Sequence, residues 1–425
     1  MSFRQAGITN RSPEHLVLAA LDFVDRSPTG ARTAIAGLAN VVQRELRSDL
    51  DPPNPPANKD VPSEETGELG FNENYDRAHL TITMGVSSTG LDALGVAPEE
   101  RPADLRPIPW GQLGDNPQNP ASGDVVLQIC SDDVYVCEHV VRRLEEEQGG
   151  ALRVIWTQIG SQRYTSRPGR ASREEGRALI GFLDGTSNLN PRRLEEDKRL
   201  VFVDPDAVGG YPPHPPTQPG ATGPYGTTTT GPIFPADLAP VPTSEPEWTR
   251  HGTYMTVRVS TFDTTPWDDR TQDEQELAVG RFKVSGASRD LQDESRFLNA
   301  EPAYVANQGN VDVPLDAHTR KANPRRSDDA QRRLFRRGYP VVGAAPGGMQ
   351  RGLAFISFAR SISTQFEFIF RAWLRNPDFP QQGAGLDRLL FNVLPETVLC
   401  GGYYFVPPVR KSNEPWTWAL PDTAA

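Results

Sequence analysis

Cysteine is scarce in this chain: three in 425 residues, at Cys130, Cys137 and Cys400. That is too few for a disulfide framework, and the spacing matches no zinc site. All three read as small buried apolar residues. Long apolar runs are also missing. None approaches the roughly 18 residues of a membrane-spanning helix. The start, Met1-Ser2-Phe3-Arg4-Gln5, carries neither an apolar targeting stretch nor a twin-arginine pair. No membrane partner and a cytoplasmic location are therefore expected. Excess positive charge is absent too. The net charge of −11 argues against binding nucleic acid or an anionic membrane surface. Histidine is limited to six positions, which keeps any search for a metal ligand short.

Proline, by contrast, is plentiful at 40 and clustered rather than spread. Between the clusters the apolar pattern resolves into elements. His15 to Val24 reads as a strand. Apolar residues at Ala34, Ile35, Leu38, Val41, Val42 and Leu46 have helical spacing, and Ser27-Pro28 suits the start of that helix. Asp51 to Pro62 reads as loop. Leu80 to Val86 alternates as a strand, and Pro98 to Ser122 reads as loop throughout. Val125 to Cys130 is a strand. Ser131-Asp132-Asp133 caps a helix reaching about Glu147, and Leu152 to Ile159 is a further strand. Strand, helix, strand, strand, helix, strand is the split βαβ, or ferredoxin-like, order.

Val201 to Pro246 holds Pro-Pro-His-Pro-Pro and four consecutive threonines, and reads as a connector without regular structure. After it the order begins again. A strand spans Tyr254 to Phe262, and a helix spans Thr271 to Val279. A long loop carries Ser285 to His318. A strand at Gly352 to Phe358, a helix at Ser363 to Arg375 and a strand at Thr397 to Val406 complete it. The expected fold is α+β, with two ferredoxin-like halves of antiparallel sheet in a dimeric α/β-barrel-like arrangement. The halves are 1–200 and 247–425, joined by 201–246.

The run Ile180-Gly181-Phe182-Leu183-Asp184-Gly185-Thr186-Ser187-Asn188 places one acid between an apolar pair and several turn formers. Asp184 is then either an Asx-turn residue or a tuned acid at the edge of a core. Gly-Phe-Leu-Asp-Gly-Thr resembles the GxxDGT motif of the dye-decolorizing peroxidases, a family of haem enzymes. Three further stretches resemble that family in the same order. They are Gly280-Arg281-Phe282-Lys283-Val284-Ser285-Gly286-Ala287, His318-Thr319-Arg320-Lys321-Ala322-Asn323-Pro324-Arg325 and Arg336-Arg337-Gly338-Tyr339.

The resemblance implies haem b, bound in the C-terminal half and facing the loop of Asp184, with hydrogen peroxide as oxidant. Phenolic or dye-like donors would be oxidised by an oxidised haem state. His318 is implied as the iron's axial ligand. Its other ring nitrogen needs a partner, for which Asp387 is considered, and a helix cap or turn acid is the other reading of Asp387. Arg325 and Arg320 are implied as contacts to the haem propionates, against a plain solvated basic loop. Arg336 and Asp184 are implied as the distal pair, one stabilising charge and the other moving a proton. Trp373 and Tyr339 are considered as surface exits for electrons, although Trp373 reads equally as a helix-packing residue. A homo-oligomer is compatible with all of this. The rival readings are a haem-binding or iron-handling protein of the same fold and a ferredoxin-like dimer without cofactor.

Overall fold

The computed structural model describes residues 2–46, 79–162, 164–165, 175–184, 186–192, 194–214, 234–289, 313–325, 327–345, 348–411, 414 and 417–421. The expected loop at 51–62, and 290–312 of the expected long loop, lie outside the described residues.

Eleven strands are described. In the first half they are β1 His15–Phe23, β2 Thr81–Val86, β3 Val125–Ser131 and β4 Leu152–Ser161, then the short pair β5 Tyr164–Thr165 and β6 Glu175–Gly176. In the second half they are β7 Thr253–Phe262, β8 Phe335–Arg336, β9 Tyr339–Ala345, β10 Gly348–Ala359 and β11 Glu396–Val406. The main sheet runs β4-β1-β3-β2-β11-β7-β10, with β8 and β9 both pairing β10. Each half therefore shows the spatial order fourth, first, third, second strand. All registered pairs are antiparallel.

The halves meet at two seams. At one, β2 pairs β11 through Val86 and Phe405. At the other, β4 lies against β9. Gln162 Nε2 donates to the Gly338 carbonyl at 2.7 Å, and a Cβ added at Gly160 would stand 2.8 Å from Tyr339 Cβ.

Alternation along the strands decides what lies inside. Leu16, Leu18 and Ala20 of β1 share one buried cluster with Met255, Val257 and Val259 of β7, Ala354, Ile356 and Phe358 of β10, and Tyr404 and Val406 of β11. This is the barrel interior. Val17 and Leu21 point the other way, onto the helices Pro28–Leu46 and Val134–Gln148. Asp133 caps the second of these by accepting from Tyr135 N–H at 2.9 Å. In the second half, Tyr254, Tyr403 and Phe405 pack outward on Ile362, Phe366, Phe370 and Leu374. Helix Gln272–Val279 starts on a capping box of Thr271 and Glu274.

The three cysteines are free and buried. Several sequence expectations change. The region 98–122 holds two short helical turns, Pro98–Glu100 and Trp110–Leu113. The connector is regular at Pro205–Gly210, and it buries Val208, Tyr211 and Phe234. Strand β9 was not expected. The helix expected at Ser363 to Arg375 begins at Ile362, capped by Ser361. It is wound with i→i+5 bonds, such as Arg375 N–H to the Phe370 carbonyl at 3.0 Å.

Candidate active site

The loop of Asp184 is built as the sequence suggests, with one difference. Phe182 and Leu183 are buried; Phe182 meets Trp267 edge-on at 5.9 Å between ring centres. Asp184 N–H bonds the Gly176 carbonyl at 2.8 Å, and Arg177 reaches the Gly181 carbonyl at 2.8 Å. The Asp184 side chain is exposed, however, not desolvated at a core edge as expected.

Arg336 lies on the two-residue strand β8, opposite Ser357 of β10. The half-buried Phe355 and Leu353 alternate onto the same face as Ser357. Arg336 Nη2 donates to the Thr186 carbonyl at 3.0 Å, which brings the guanidinium to the Asp184 loop. Burial lowers the Arg336 pKa from its ordinary value. The Asp184 carboxylate acts against this, and Arg325 and Arg333 add to it. Asp184, Arg336 and Arg325 therefore share one electrostatic neighbourhood.

His318 lies not in a loop but at the first position of a one-turn helix, His318–Ala322. Its Nδ1 bonds Asp387 Oδ2 at 2.8 Å. Asp387 is fully buried, and its other oxygen accepts from Leu390 N–H at 3.0 Å. Both readings of Asp387 hold together, as helix-starting acid and as imidazole partner. With Nδ1–H donating to the carboxylate, the Nε2 lone pair is left to ligate. The imidazole is about one-third exposed.

The remaining positions divide. Arg325 Nη1 donates to the Thr319 carbonyl at 2.9 Å, and its own backbone has φ +60°. Arg320 turns into the protein and donates to the Val313 carbonyl at 2.7 Å. It is buried, because the short helix points it away from solvent. Trp373 and Tyr339 are also buried, so neither is a surface aromatic. Trp373 stacks on Phe379 at 5.3 Å, and its indole N–H has no hydrogen-bond partner among the described residues. Tyr339 faces the barrel interior, with its hydroxyl on the Pro13 carbonyl at 3.1 Å.

Two residues at the site escaped the sequence reading. Asn188 holds the backbone of Arg336 with both ends of its amide. Lys321 is buried and donates to the Asn376 carbonyl at 2.7 Å and to the Gly385 carbonyl, tying down the approach to Asp387. Burial lowers the Lys321 pKa to about 8, against the opposing pull of Asp387. Asn188 sits in the quoted motif and Lys321 in the histidine motif, so their position was the available signal.

Comparison with known proteins identifies the family. The family model "Dyp-type peroxidase, N-terminal" matches residues 5–162, and "Dyp-type peroxidase, C-terminal" matches 233–411. The chain belongs to the Dyp-type peroxidase family. It is thus a haem-dependent oxidoreductase. The structure of a DyP-type peroxidase from Cellulomonas bogoriensis superposes with a TM-score of 0.65 at 26% identity, over 96% of this chain and 94% of that one. Ferric DtpA from Streptomyces lividans gives 0.67 at 21% identity, over 96% and 93%, a likeness of fold. Deferrochelatase of Shigella flexneri is 25% identical over 420 residues, 96% of this chain and 84% of the relative. The family's haem fits the residues here. An imidazole about one-third exposed has one nitrogen fixed by a buried acid and the other without a described partner, which is the donor chemistry of a haem-iron ligand.

Proposed function

We propose that this protein reduces hydrogen peroxide and draws the electrons from phenolic, aromatic or dye-like donors. The observation that carries the reading is the distal charge pair. Asp184 and Arg336 lie about 150 residues apart in the sequence, yet the Arg336 guanidinium is bonded to the Asp184 loop.

Haem b, when bound, supplies the redox chemistry. His318 would hold it through Nε2, with Asp387 fixing the ring. Arg325 is the better placed of the two arginines for a propionate, since Arg320 is spent on a buried carbonyl. Asp184 would take the proton from one peroxide oxygen and return it to the other. Arg336 would stabilise the charge that develops as the O–O bond breaks. Trp373 and Tyr339 would serve donors only as buried relays.

Stopped-flow absorbance after mixing with peroxide tests this. Arg336→Leu should slow the first spectral change roughly 100- to 1,000-fold. Asp184→Asn should slow it roughly 100- to 10,000-fold. Wild-type rates in both variants would reduce Asp184 to a turn residue.

A haem-handling role with incidental peroxidase turnover is the second reading. It is favoured by the name deferrochelatase on a relative 25% identical across 96% of this chain. Weak turnover on every donor, with release of intact porphyrin from added haem, would support it instead.

A further inference from the structure

β8 is two residues long and, among the described residues, pairs on one side only, with β10. Its ladder bond there is made by the neighbour of Arg336: Arg337 N–H donates to the Ile356 carbonyl at 2.8 Å. Arg336 N–H and C=O therefore point to the opposite, open edge. A strand edge left like this is satisfied by water or by another chain segment. Here one side chain does it. Asn188 Oδ1 accepts from Arg336 N–H at 3.0 Å, and Asn188 Nδ2 donates to the Arg336 carbonyl at 2.8 Å. A carboxamide carries donor and acceptor side by side, as a peptide group does, so Asn188 takes the place of a missing strand.

Other contacts hold the Asp184 loop in register with that edge. Ser187 has φ +54°, an uncommon conformation outside glycine that turns the chain just before Asn188. Arg281 Nη2 donates to Ser187 Oγ at 2.9 Å. The Arg336 guanidinium closes the ring on the Thr186 carbonyl at 3.0 Å. Arg336 is thus attached to one short loop at both backbone and side chain. That loop also carries Asp184.

We infer that Asn188 is a positioning residue that clamps Arg336 to the Asp184 loop, so that the distal acid and the distal cation are held as one unit. The inference rests on the peroxidase reading. It concerns a side chain that touches neither peroxide nor haem in that scheme and acts through Arg336.

The test uses full-length, haem-loaded ferric protein. Asn188→Ala should raise hydrogen exchange at the Arg336 amide at least tenfold, as expected when one hydrogen bond worth about a factor of ten is lost. The Arg337 amide, bonded to Ile356, should be unchanged, which separates a lost clamp from general loosening. Fluoride affinity, which depends on a distal hydrogen-bond donor, should fall about tenfold with the Soret band of the resting protein intact.

Asn188→Asp is a second variant of the same shape. A protonated carboxyl offers one donor and one acceptor, whereas a carboxylate offers only acceptors. Beside the Arg336 guanidinium the new side chain is a carboxylate at pH 7. It still accepts from Arg336 N–H but cannot donate to the Arg336 carbonyl, so Arg336 amide exchange should stay closer to wild type than to Asn188→Ala. Unchanged Arg336 exchange in the Ala variant, or exchange in the Asp variant as fast as in the Ala variant, overturns the clamp. If Arg336→Leu itself leaves peroxide reaction and fluoride affinity at wild-type values, the peroxidase reading fails instead, whatever the exchange data give.

Discussion

At the scale of single residues, the site depends on side chains that do two jobs. Asp387 starts a helix with one oxygen and fixes His318 with the other. Asp387→Asn separates the jobs. The amide oxygen can still accept from Leu390 N–H, but its NH₂ group now faces His318 Nδ1. The ring proton then moves to Nε2 and blocks the ligating lone pair. Haem affinity should fall 10- to 100-fold with little change in melting temperature, checked by haem titration and calorimetry. Equal haem affinity would mean that Asp387 serves the helix alone.

Trp373 gives a second prediction. Its indole N–H has no described hydrogen bond to lose, so Trp373→Phe should cost little stability beyond the packing of one ring. If it relays electrons, turnover of bulky dyes should drop while small phenols are unaffected. Parallel loss on both would mark packing damage.

His318, Asp184, Arg336 and Arg325 could be singled out because each sits in a motif whose resemblance implies a role, and the structure sets Asp387 on His318 and Arg336 on the Asp184 loop. Burial was not legible. Arg320 and Arg325 are two arginines in one basic segment, and nothing in the string says that Arg320 is drawn inward onto Val313. The same holds for Trp373 and Tyr339, whose depth depends on helices and strands far away in sequence.

At the scale of elements, most boundaries followed from period and caps. Helix Pro28–Leu46 was visible in its apolar spacing, and Val134–Gln148 in its acidic cap. Strand β9 was missed because Tyr339–Ala345 contains a proline and a glycine, residues that read as turn. It is tolerated because, among the described residues, β9 has a ladder on one side only, with β10.

The buried parts of the connector escaped the sequence reading for a related reason. Beyond the turn at Pro205–Gly210, its C-terminal end is held by a carboxylate instead of a backbone ladder. Glu245 accepts from the Tyr254 hydroxyl at 2.5 Å and from Ala103 N–H at 3.0 Å. Nearby, Asp104 accepts from Ser361 Oγ at 2.6 Å and from Ser363 N–H at 2.8 Å.

Burial raises the Glu245 carboxyl from 4.5 to about 7. Between those values the native protein keeps a proton that the unfolded chain has released. Stability from this group is therefore complete below about pH 4.5 and is lost as pH rises through 7. Glu245→Gln cannot titrate. Against it, wild type should lose stability on the order of 3 kcal/mol at most between pH 4.5 and 8, measured by urea unfolding of the haem-loaded protein. Parallel curves for the two proteins would exclude the linkage.

At the scale of the whole molecule, two copies of one strand order face each other across a shared interior. The seam between β4 and β9 requires close approach. Gly160 has no space for a Cβ, which would lie 2.8 Å from Tyr339 Cβ. Gly160→Ala should destabilise the protein by about 1–3 kcal/mol, since backbone or ring must shift to admit a methyl group. A melting temperature equal to wild type would show that the seam can give.

The repeated order could be read only in part: periodicity reports each strand by itself, and in the second half it gave β7, β10 and β11 but not β9. Which strand joins the two halves could not, since pairing across 300 residues leaves no local mark.

That joining strand has a consequence for synthesis. β11 is the last strand in chain order, yet it sits in the middle of the sheet, between β2 and β7. While the ribosome is still making residues 396–406, the two half-sheets each present an unfilled edge. The first half can form its four strands early, but β2 waits for a neighbour encoded about 310 residues later. The chain therefore carries one open edge once its first half is made and a second once β7 follows, both aggregation-prone until β11 arrives. A stall or truncation just before β11 should leave a nascent protein that holdase chaperones retain.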